Sequence, residues 1–196
     1  MYDSYDYLEK IAEARKSCRR FSNEPVSDED ILRILKIASR SPFASGRKNW
    51  KILVIQEKDK IEALARIIQK ASGKLTSSME EDAAALFGKY ARNFTFFKEA
   101  PILMIPYCRN TSTMQAMLRE QLTEEIAVWE RDNLTKSLSC VTMMILLAAE
   151  SLGLGSCCMT GPLLAAEEIA TFTGIPSGSI LGAIIPVGHK LHAHED

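Results

Sequence analysis

Two hydrophobic patterns organise this chain. Between Pro25 and Pro42 the apolar residues Ile31, Leu35 and Ala38 recur at helical spacing, whereas the stretches 50–56 (WKILVIQ) and 101–108 (PILMIPYC) are apolar almost without a break. The first pattern predicts an amphipathic helix and the second predicts buried strands. Ser27 suits the helix N-cap, with Asp30 three residues on as a capping-box partner, and Pro42 stops the helix. An earlier helix is expected from Tyr5 to Lys16, with Leu8, Ile11 and Ala12 on one face. Another should follow the first strand over KDKIEALARIIQKAS, and a further one should begin near Met79.

Farther along, Thr111 to Trp129 reads as one or two helices with a mixed surface. The run Leu134 to Leu152 is apolar nearly all round, the mark of a central buried helix. Gly153 and Gly155 suit a left-handed cap at its end. SCCMT then predicts a short extended piece, AAEEIATFTGI a helix, and SILGAIIPVG one final strand. Helices and strands mix without a regular βαβ rhythm, which favours a layered α+β fold. No repeat, linker or low-complexity segment divides the chain, so one domain over residues 1–196 is expected.

Composition narrows the function. With 196 residues, 46% hydrophobic, and a formal charge of −1, the chain has the profile of a soluble protein with a real core. It lacks the basic excess of a nucleic-acid binder. The five cysteines follow no disulfide-scaffold or zinc spacing, which points to a reducing cytoplasm. The polar, acidic N-terminus is unlike a signal peptide, and the longest apolar run (140–149) is too short for a bilayer span.

Against this balanced charge, ARKSCRRF (14–21) stands out. Arg15, Lys16, Arg19 and Arg20 crowd around Ser17. Arginine offers a planar fork to phosphate, and in an extended segment Arg15, Ser17 and Arg19 share one face. Such a cluster is either a solvated face or the seat of a small anion. Two further stretches are rich in small residues: SRSPFASGRKNW (39–50) and LGLGSCCMTGP (152–162). Both would let backbone N–H groups approach a ligand closely, or serve simply as connections. The second is not a dinucleotide fingerprint, because it follows a helix and lacks the third glycine at the right offset.

Taken in order, ARKSCRRFSNEPVSDEDILRILKIASRSP, NWKILVI, LLAAESLGLGSCCMTG and GAIIPVGHK resemble the FMN-dependent nitroreductase family across most of the chain. The resemblance implies a three-layer fold, a mixed and mostly antiparallel sheet flanked by helices, in an intertwined homodimer with flavin at the interface. It implies that Arg15, Lys16, Ser17 and Arg19 hold the FMN phosphate and ribityl chain. The loop Ser41, Pro42, Phe43, Ala44 and Ser45 would cover the flavin ring from the partner subunit. Met159, Thr160 and Gly161 would lie beside the ring, with a backbone N–H of Thr160 or Gly161 near flavin N5.

Some positions depart from the family. Gly46 stands where an Asn is usual, and Lys48 and Asn49 replace Gln-Pro, either one placed for a pyrimidine contact. Thr160 stands where a Glu is frequent, and Lys190 would substitute for basic residues farther downstream. The function so implied is oxidoreduction, with NADH or NADPH as donor and nitroaromatics or quinones as acceptors, in ping-pong order. Ene reduction, dehalogenation, flavin fragmentation, or flavin binding without catalysis are the alternatives.

Other residues carry less. His189, His192 and His194 lie in a tail, which is seldom a closed metal site. Cys157 and Cys158 should point to opposite faces of an extended segment, one into the core and one toward the flavin. Met143, Met144 and Leu146 read as core and dimer packing. Phe94, Phe96, Phe97 and Trp129 read first as buried, with stacking on an aromatic substrate as the alternative. No Ser-His-Asp order or paired-carboxylate motif is present.

Overall fold

The structure is a computed structural model and describes residues 3–44, 49–109 and 113–191. Its elements run α1 (Ser4–Ala14), α2 (Asp28–Ala38), β1 (Trp50–Ile55), α3 (Lys58–Thr76), α4 (Glu81–Ala91), a 3-10 segment (Arg92–Glu99), β2 (Ile102–Arg109), α5 (Thr113–Leu118), α6 (Glu124–Ser151), β3 (Leu154–Ser156), a 3-10 turn (Gly161–Ala165), α7 (Ala166–Thr173), β4 (Ser179–Leu181) and β5 (Ile185–His189).

The sheet is built on β2. β1 pairs along its whole length on one side, with Leu53 opposite Ile105. On the other side β5 pairs with residues 102–104 and β4 with residues 107–109, and β3 extends the sheet beyond β5. Pro106 has no amide hydrogen to donate, and it falls where this second ladder is interrupted, its carbonyl accepting from Gly182 N–H at 2.8 Å. The final strand expected as one piece is therefore two, broken around Gly182. A Cβ there would lie 3.0 Å from the Leu138 Cβ, so the chain passes α6 more tightly than side chains usually pack. All paired strands are antiparallel; the parallel element is a bridge between Ser17 and Ser156.

Alternation along β2 explains the three layers. Ile102 and Met104 face a core made with α2 and α6, including Ile34, Val141, Ile145 and Ala149. Leu103 and Ile105 face a second core made with α3, the 92–99 segment and α7, including Leu64, Ile68, Phe97 and Ile169. A strand buried on both faces needs no polar alternation, which is why the sequence shows an unbroken apolar run there.

α2 forms as expected, the Ser27 hydroxyl accepting from Asp30 N–H at 3.1 Å. α6 differs from expectation. It starts at Glu124, ten residues before the apolar run, capped by Thr123. Nor is it buried all round, since Met143 is 48% and Trp129 57% exposed while Leu138, Val141 and Ile145 are fully covered. It ends on Gly153 at φ 75°; Gly155 belongs to β3 and takes no part in the cap. In α1 the expected apolar face is uncovered, with Leu8 56% exposed.

Candidate functional site

The basic segment is held by backbone bonds at both ends. α1 stops at Arg15, whose backbone turns extended, and the chain then runs beside β3. Ser17 bridges to Ser156, and Cys18 N–H donates to the Ser156 carbonyl at 2.9 Å. Farther on, Phe21 bridges to Lys190, and Ser22 N–H donates to the His189 carbonyl at 3.0 Å. Gly155 permits this approach, because a Cβ there would lie 2.6 Å from the Cys18 sulfur.

Extended backbone sorts the side chains into two sets. Cys18 turns toward Gly155, while Arg15, Ser17 and Arg19 gather around Cys157. Burial pushes the Cys157 thiol up, against a hydrogen bond from Ser17 and the positive field of Arg19 and Arg15. Among the described residues no carboxylate pairs with Arg15, Lys16, Arg19 or Arg20. Arg15 and Arg19, without carboxylate partners among the described residues and carried on a backbone-bonded segment, could accept an external anion.

Beside this segment opens a cleft of about 420 Å³. The basic segment contributes Arg19 to its lining, the stretch 90–96 contributes Tyr90, Asn93, Phe94 and Phe96, and residues 157–162 complete it. The Arg19 guanidinium lies 5.9 Å from the Phe96 ring centre. Met159 is clamped by two backbone bonds to Ile184 (3.0 and 2.9 Å), which fixes the strand leading to Thr160. The amides of Thr160 and Gly161 have no hydrogen-bond partner among the described residues, and they edge the cleft. A larger hollow of about 570 Å³ starts just past this segment at Ser22 and Asn23, where Lys58, Arg66 and Lys98 mingle with Glu62 and Glu99. Its mixed charge favours no ligand class.

The predicted residues thus divide. Arg15, Ser17, Arg19, Met159, Thr160 and Gly161 come together, with Lys16 exposed on the same segment. Ser41, Pro42, Phe43 and Ala44 do not join them within one chain. Ala44 N–H donates to Ser137 Oγ at 3.0 Å and Phe43 stacks on Trp50, both on the α2/α6 side of the sheet. Asn49 is half-buried in that region. Ser45, Gly46 and Lys48 lie outside the described residues, as do His192 and His194.

Lys190 sits next to the basic segment, but its ammonium is held by Glu150 at 2.6 Å, so it is not free to serve as the expected substitute cation. Cys157 is buried and Cys158 exposed, and both line the cleft. Phe94 and Phe97 are buried, Phe96 lines the cleft, and Trp129 stands exposed away from it. The sequence reading missed Tyr90 and Asn93. Their signal was spacing: Tyr90, Asn93, Phe94 and Phe97 recur at three to four residues.

The sequence model of the Nitroreductase family matches residues 12–189. An iodotyrosine deiodinase of Thermotoga neapolitana is 25% identical over 93% of this chain and 88% of its own length. A crystal structure of a BluB-like flavoprotein from Clostridium difficile superposes with a TM-score of 0.82 at 29% identity, covering 96% of this chain and 92% of the other. A nitroreductase with bound FMN from Desulfitobacterium hafniense has the same fold at a TM-score of 0.73 and 22% identity, covering 98% of this chain and 92% of the other.

Proposed function

This chain belongs to the nitroreductase family, and from that premise we propose that it is an FMN-dependent oxidoreductase that takes electrons from NADH or NADPH and passes them to nitroaromatic or quinone-like acceptors. The observation that carries the proposal is the meeting, at one cleft, of Arg19 from a basic segment and two amides, the cations without carboxylate partners and the amides without acceptors among the described residues. That donor set fits FMN, whose phosphate calls for the first and whose ring edge calls for the second.

Arg15, Lys16 and Arg19 would hold the phosphate through charge-assisted hydrogen bonds, with the Ser17 hydroxyl among them. When bound, FMN supplies a two-electron carrier that a reduced nicotinamide charges by hydride transfer and an acceptor discharges. The Thr160 and Gly161 amides would donate where negative charge grows on the ring, and their fixed backbone needs no rearrangement to do so. No side chain has to act as a general base.

Phe43 and Ala44 lie on the far side of their own sheet. In a homodimer, the loop at residues 41–49 of a second copy would close the open side of the cleft. One small cleft then serves donor and acceptor in turn, which is ping-pong order.

The test is an absorbance spectrum of protein loaded with FMN and freed of excess, followed by anaerobic NADH and then NADPH. Retained flavin that bleaches supports the reading; flavin that binds without bleaching removes the nicotinamide step. The similarity to a deiodinase favours one second reading, reductive dehalogenation of a halogenated phenol. Halide release from such a compound by the reduced, loaded protein, with no turnover of nitroaromatics or quinones, would establish that reading instead.

A further inference from the structure

Gly161 does not need to be glycine for its own backbone. Thr160 before it is in the ordinary right-handed region, and only Gly153, Gly174 and Gly178 among the described glycines have positive φ. The reason is steric. A Cβ on Gly161 would lie 2.3 Å from Phe94 Cε1 and 2.8 Å from its Cδ1 and Cζ. The edge of the Phe94 ring therefore rests directly on the backbone that carries the two partnerless amides.

The ring cannot yield to make room. Phe94 is 4% exposed and packs into the core with Leu64, Ile68 and Phe97. Tyr90 meets it edge-on, centroids 4.8 Å apart at 84°, and Phe87 does so at 6.2 Å and 79°. Along the chain the amide pair is flanked by Met159, bonded twice to Ile184, and by Pro162 with its fixed φ. The backbone between these anchors is pressed against one aromatic edge.

We infer that Phe94 is a positioning residue for the flavin reaction: its ring sets the direction of the Thr160 and Gly161 N–H groups, and Tyr90 braces the ring from the cleft side. This rests on the FMN reading above. Phe94 need not touch the cofactor; it acts through the backbone it supports. Donors held at a fixed spot favour the electron-rich form of the ring, and donors free to swing favour it less. The relevant readout is therefore the protein's preference for reduced over oxidised FMN, taken from the two-electron midpoint potential of bound against free flavin.

The experiment compares the loaded wild type with Phe94→Leu and Tyr90→Leu. Phe94→Leu keeps an apolar side chain in the core but removes the ring edge. It should still bind FMN while losing about tenfold of that preference, a fall in potential of about 30 mV for a two-electron couple. Tyr90 is 60% exposed, so Tyr90→Leu should fold normally and shift the potential the same way by less. A Phe94→Leu protein with a lower Tm but an unchanged potential would make Phe94 a core residue only and overturn the inference. If Phe94→Leu does not fold, Tyr90→Leu decides alone, and an unchanged potential overturns the inference equally. A wild type that retains no FMN defeats the parent reading, and this one with it.

Discussion

The two walls of the cleft are held in different ways. The wall bearing Arg15 to Arg19 is tied to β3 and β5 through main-chain hydrogen bonds, so its side chains are left facing outward with little structural duty. The wall formed by the 3-10 segment from Arg92 to Glu99 is anchored by the burial of Phe94 and Phe97. A wall fixed by backbone can change its side chains and keep its shape. A wall fixed by packing cannot. Binding and stability should therefore respond to different residues, one wall at a time.

The largest effect belongs to the packed wall. Phe97 is fully buried, and Phe97→Ala should cost about 3–5 kcal/mol of stability by urea denaturation. On the other wall, Arg15→Ala should leave the urea midpoint nearly unchanged. It should weaken FMN binding by about 1.5–3 kcal/mol, roughly ten- to a hundredfold, in a fluorescence titration. If each change disturbed both properties equally, the contrast between the walls would be false.

Lys190 sharpens the contrast further. Lys190→Met should lower the Tm by stranding the nearly buried Glu150 carboxylate, yet leave FMN affinity as it was. A loss of affinity on the scale of Arg15→Ala would return Lys190 to the anion site.

The smallest effect concerns Cys108, which pairs within the sheet far from either wall. Burial pushes its thiol up to about 11. The folded protein thus keeps a proton that the unfolded chain releases above pH 9. The associated stability is fully present below pH 9 and is lost as the pH rises toward 11. Urea midpoints of wild type and Cys108→Ala should differ in slope across that window and run parallel below it. In the native protein a thiol reagent should spare Cys108 and reach the exposed Cys140.

How much of this was legible in the sequence follows from the range of each interaction. α2 could be read because its cap and periodicity are local, and β1 and β2 because burial on both faces leaves an apolar run. That α6 is one helix was hidden, since the polar stretch Glu130 to Asn133 separates the two segments expected to be helical. The break at Gly182 depends on Leu138 and Pro106, which no local pattern predicts. For the candidate site, the cations and the small residues at 157–162 stood out by composition. Their union did not, because it runs through the Ser17–Ser156 bridge. Phe94 looked like one aromatic among several, and its role against Gly161 is a matter of 2.3 Å.

That bridge also fixes when a binding site can exist. The segment carrying the cations comes early in the sequence, while β3 and β5, which hold it, come near the end. A chain emerging from the ribosome displays Arg15, Lys16 and Arg19 long before β3 and β5, and has nothing to hold them in line until β5 has been made. On the FMN reading, cofactor capture then waits for β5, and a loaded molecule is one in which the basic segment has already met β3 and β5.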